Sequence, residues 1–91
     1  MTPTQERAAR ARVAYTHAAH ELLVATQAEL KALHWLQVAE VTYGPASTAA
    51  NQGRGAWRAA VEVREKATVD MHARTEEMDQ AQSALVTEAR R

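Results

Sequence analysis

Few side chains in this sequence are spaced for chemistry, and most of them fall into small groups. His17, His20 and Glu21 stand three and four residues apart, so on a helix they share one side and can offer two imidazoles and a carboxylate to a metal ion. A fourth ligand would have to come from a distant segment or a second chain, and the Glu-x-x-His pair of di-iron bundles does not occur. Glu62-x-x-Glu65 and Glu76-x-x-Asp79 are paired carboxylates of the kind that hold magnesium, but the ten residues between the pairs carry no turn signal. One continuous helix would string all four along its length instead of bringing them together. With no cysteine, thiol nucleophiles, zinc thiolates and disulfides are excluded. No glycine loop follows a strand and no Ser/His/Asp set has supporting spacing. The expectation is a protein that is not an enzyme and needs no cofactor. A helical-bundle metal protein is an alternative, and it would rest on His17, His20 and Glu21.

The elements that must position these residues are two long helices. Every glycine (Gly44, Gly53, Gly55) and the only internal proline (Pro45) lie between residues 44 and 55, flanked by segments rich in Ala, Glu, Arg and Gln. Thr2, Pro3 and Gln5 form a helix start: a capping hydroxyl, a proline where its missing N–H costs nothing, and the glutamine of a capping box. Helix 1 is expected over about 3–43 and is stopped by Gly44-Pro45. A loop is expected over about 44–54, with room for a short extra turn at 47–51, and helix 2 over about 55–90. Residues 1–91 read as a single helical-hairpin domain, all-α and antiparallel.

The apolar content limits what such a hairpin can bury. Hydrophobic residues make up 46% of the chain, but 21 of them are Ala, and there is no Phe. Small side chains allow close helix approach while burying little area each. Disulfides are unavailable as staples, so the coiled-coil-like hairpin is expected to be completed to a helical bundle by oligomerisation or by a partner.

At 100° per residue, Ala8, Ala11, Tyr15, Ala18, Leu22, Thr26, Leu33 and Leu36 fall on one stripe of helix 1. Trp57, Ala60, Ala67, Met71, Met78 and Leu85 fall on one stripe of helix 2. These stripes form the expected seam. Glu29, Glu40 and Arg64 lie within them. With the chain reversing about residue 48, Arg64 comes within reach of Glu29, and Glu40 near Arg54 or Arg58, as ion pairs that fix register more than they stabilise. Helix 1 carries a second apolar face: Val13, Val24, Trp35 and Val38, interleaved with His17, His20 and Lys31. A two-helix hairpin covers only one side of helix 1. The face containing Val13, His17, His20, Val24, Trp35 and Val38 is therefore the expected partner interface. Histidines at such a contact would loosen it under mildly acidic conditions.

Eleven basic residues balance eleven acidic ones, which removes the bulk electrostatic case for nucleic acid or an anionic membrane. Folding antiparallel brings Arg7, Arg10 and Arg12 towards Glu76, Glu77, Asp79 and Glu88, so the arginines have carboxylates of their own. No signal peptide or membrane span is readable, so the expected compartment is the cytoplasm. The alternatives are export without a cleaved signal peptide and association with a virion. An Ala-rich, cysteine-free hairpin of this length with Trp57 beside the turn resembles in architecture the WXG100 proteins exported by type VII secretion systems. Here Trp57-Arg58-Ala59 has Ala in place of the motif's glycine, and both tyrosines, Tyr15 and Tyr43, lie in helix 1, away from the position of the export signal. The leading expectation is a small non-enzymatic protein that works by protein–protein contact. It would self-associate or serve as a structural component of a phage or other large particle. The resemblance implies the alternative of a type VII substrate or its partner.

Overall fold

The computed structural model describes residues 1–91 and consists of two α-helices, α1 (Pro3–Tyr43) and α2 (Thr48–Ala89), folded back on each other as an extended antiparallel hairpin. The chain is all-helical, with no strand. Helix α1 begins as its sequence dictates. The Gln5 N–H donates to the Thr2 hydroxyl at 3.1 Å, and the Thr2 N–H donates to the Gln5 side-chain oxygen at 2.9 Å, closing a reciprocal capping box. It ends at Gly44, whose φ of 93° suits a residue without a Cβ.

The connection is far shorter than the expected loop over 44–54. Ser47 caps α2 by accepting from the Ala50 N–H at 3.1 Å while its hydroxyl donates to the Gly44 carbonyl at 2.8 Å. That serine cap starts the helix at Thr48 and carries Gly53 and Gly55 inside it. Each interior glycine costs roughly 1 kcal/mol of helix propensity. The cap, the packing of the long helix and a bracing contact from Arg54, which donates to the Pro45 carbonyl at 2.8 Å and to the Asn51 side chain, outweigh that cost. Gly53 also has a positive reason to be glycine. A Cβ placed there would lie 3.2 Å from both Cα and Cδ1 of Leu36, a few tenths of an ångström closer than carbon atoms prefer, so the helix backbones come close at this point.

The seam follows a seven-residue repeat. Along α1 it runs Ala8, Ala11, Tyr15, Ala18, Leu22, Ala25, Glu29, Ala32, Leu36, and along α2 Ala50, Gly53, Trp57, Ala60, Arg64, Ala67, Met71, Arg74, Met78, Ala81, Leu85. The fully buried residues all belong to it: Ala8, Ala11, Ala18, Ala25, Leu36, Ala50 and Ala81. This corrects the 100° stripes in both helices: in α2, Ala81, outside the expected stripe, and Ala50, placed in the expected loop, are fully buried. In α1, Ala25 is buried, whereas Thr26 and Leu33 are half-buried beside the seam. The reason is supercoiling: two long helices held in contact underwind to 3.5 residues per turn, so a count at 3.6 drifts about 20° per heptad.

With Leu36 against Gly53, and Met78 and Leu85 packed on Ala8, Ala11 and Ala81, the register is fixed. It pairs a large side chain with a small one in most layers: Ala11 with Met78, Ala18 with Met71, Leu22 with Ala67, Ala32 with Trp57. This small-against-large alternation fills the seam at close helix spacing.

The result is a rod of 67 × 15 × 14 Å with a radius of gyration of 20.0 Å. A compact chain of this length would have a radius near ~12 Å. No buried side chain is larger than leucine, and twelve large hydrophobic residues remain exposed.

Candidate protein-interaction surface

The register ion pair forms. Arg64 Nε donates to Glu29 Oε2 at 2.7 Å, with both side chains largely covered by the seam. The Glu40–Arg58 pair does not form. Leu36 lies against Gly53 and Ala8 against Ala81, so the chain reverses within 44–47, earlier than residue 48. Arg58 then projects to solvent, Arg54 is taken by the turn, and the half-buried Glu40 makes no ion pair. The expected attraction between the basic start of α1 and the acidic end of α2 is also weaker than its layout suggests. Arg7 and Arg10 share an open groove with Glu77, but Glu77 is bound by Arg74 of its own helix at 2.8 Å, and Arg74 also donates to Asp70 at 3.2 Å. The hydrogen bond to Asp70, then that to Glu77, pushes the Arg74 guanidinium further above its ordinary value. This Asp70–Arg74–Glu77 cluster adds to the expected ion pairs, and its i, i+4 and i, i+3 spacing is visible in the sequence.

The candidate chemical groups do not converge. His17 and Glu21 approach to 3.8 Å on an exposed face, and nowhere do three His, Cys, Asp or Glu side chains come together as a metal-holding group. Glu62/Glu65 and Glu76/Asp79 all lie on α2, where fourteen residues between corresponding members amount to about 21 Å of helix.

What is left open is the outer side of α1. Val13, Val24, Trp35 and Val38 are exposed together with His17 and His20, Trp35 to 59%. The Trp35 ring meets the His34 ring edge-on, with centroids 5.8 Å apart. Val41, exposed to 88%, continues the row of Val13 along the seven-residue repeat, whereas Leu23 and Leu30, also exposed, follow the seam residues Leu22 and Glu29 by one position and so lie on the opposite flank of α1 from Trp35. One shallow hollow is lined by Ala9, Arg10, Val13, Ala14 and His17, and the next by Arg12, Val13, Thr16, His17 and His20. On a bare helix these are the depressions into which a neighbouring helix sets its side chains. No helix is long and apolar enough to cross a membrane.

Compared with family models, with curated proteins and with solved structures, the chain matches none of them.

Proposed function

We propose that this protein is a non-enzymatic helical hairpin that acts by protein–protein contact, as a self-associating or structural component of a larger assembly, through the outer face of α1. The observation that carries the proposal is the row of exposed apolar side chains on that face with Trp35 among them. Single exposed apolar residues are ordinary, but a tryptophan flanked by valines along several turns is the composition of an interface centre. The seam supports the same reading. It is built mainly from alanine, its largest fully buried residue is Leu36, and a two-helix rod of that kind gains little from its own burial.

The test is the mass in solution by light scattering behind a sizing column, for the wild type and for the pair Trp35→Asp with Val24→Asp. A wild-type dimer or larger species that falls to a helical monomer in the variant supports the proposal. A wild type that stays a well-folded monomer overturns self-association.

A further inference from the structure

We infer that the occupant of this face is a second copy of the same chain, its α1 packed antiparallel on the first α1 about a two-fold axis beside Gln27. The inference rests on the reading of the α1 face given above and names its partner and register. A helix can pack on its own copy only if residue i meets residue j wherever j meets i. Most sequences fail that condition on charge or size.

The outer stripe Ala14, His17, Glu21, Val24, Ala28, Lys31, Trp35, Val38 repeats by alternating threes and fours, like the seam but turned about a quarter of the way round the helix. That is the relation a helix of a four-helix bundle has to its two neighbours. Superposed on its reverse about residue 26, the stripe is self-complementary. Glu21 meets Lys31 of the second copy, and symmetry repeats the pair. Val24 meets Ala28, and Val38 meets Ala14, so large again faces small as it does within the hairpin. Trp35 meets His17. The flanking row on one side of the stripe pairs with itself two residues out of step with the stripe's own layers, about residue 27, which brings Val13 to Val41 and Gln27 to its own symmetry mate and accounts for the exposure of Val41.

Two further observations agree. The hollows on the free α1 surface lie around Ala14 and His17, the places where Val38 and Trp35 of the second copy fall. Val63 of α2 is exposed, occupies the corresponding flanking position on the same side of the hairpin, and is level with residue 26 in the hairpin register. It therefore lies near the same axis. The charges at positions 21 and 31 specify this antiparallel register, because a shift by one heptad would set Lys31 against Ala14 or Ala28 in place of Glu21.

The experiment exchanges those charges. Glu21→Lys and Lys31→Glu are exposed substitutions, so helicity by circular dichroism is retained. Each variant alone places like charges opposite each other twice, and its dimer dissociation constant rises tenfold or more. Mixed in equal amounts, the two variants restore both pairs and form a heterodimer near wild-type affinity. In a chain without cysteine, Gln27→Cys gives a symmetric disulfide-linked dimer under mild oxidation, and Arg10→Cys does not. A dimer that is insensitive to both charge changes, yet dissociated by Trp35→Asp, overturns the register while the interaction face stands. A wild type monomeric at every concentration overturns the second copy as the occupant.

Discussion

Replacing each of the two glycines inside α2 by alanine separates helix propensity from helix approach. Gly55→Ala adds a methyl group that meets nothing within 4 Å. It should stabilise the hairpin by the propensity difference alone, about 0.8–1.0 kcal/mol, a rise in Tm of roughly 4–8 °C for a chain of this size. Gly53→Ala offers the same propensity gain but places Cβ 3.2 Å from Leu36 Cα and Cδ1 and 3.4 Å from Leu36 Cβ. Carbon atoms prefer roughly 3.5–4.0 Å. The Leu36 side chain can rotate away, but its Cα recedes only if the helices separate, and separation loosens the layers on either side. Overpacking of this kind costs about 1–3 kcal/mol, so Gly53→Ala should fall between neutral and about 2 kcal/mol destabilised. The measurement is thermal unfolding followed by far-UV circular dichroism at one fixed protein concentration, with both variants beside the wild type. Equal increases in Tm for the two variants would refute the reasoning, because they would mean that the backbones are not in close approach at Leu36 and Gly53.

Two more substitutions probe the seam. Ala18 is 1% exposed and faces Met71 in the hairpin register; Ala18→Leu should cost about 1–3 kcal/mol in urea unfolding, and an unchanged midpoint would contradict the small-against-large layering. Glu29→Ala leaves the Arg64 guanidinium half-buried without its carboxylate and should cost about 1–2 kcal/mol, less than a fully buried pair because water still reaches both groups. Replacing Glu29 and Arg64 together by leucine should recover most of that loss, and a double variant as unstable as Glu29→Ala would show that the pair does more than hold register.

The sequence of this protein carries its helices plainly because the signals are local. Thr2-Pro3 with Gln5, and Gly44 before Pro45, act within a few residues of the bonds they govern, and both boundaries of α1 lie where those residues put them. The Glu29–Arg64 pair was legible because an ion pair across a hairpin needs only approximate register. The start of α2 was less legible: two glycines read as loop by propensity, and only the Ser47 cap together with the close approach of Leu36 explains why they are helical. The outer face of α1 was legible in its centre, at Val24, Trp35 and Val38, and incomplete at its edge, where Val41 required the true repeat length.

The sequence by itself determined two long helices, their antiparallel pairing and the presence of more apolar surface on α1 than one partner helix can cover. Those follow from turn residues and periodicity, which are properties of the chain read a few residues at a time. The tertiary structure alone decided the register and everything that depends on it. A turn of four residues in place of eleven shifts α2 along α1, which leaves Glu40 and Arg58 apart and sets Gly53 on Leu36. Supercoiling, which only two helices in contact possess, changed the repeat from 3.6 to 3.5 residues and so chose Ala25 over Thr26 and Leu33 for the buried seam.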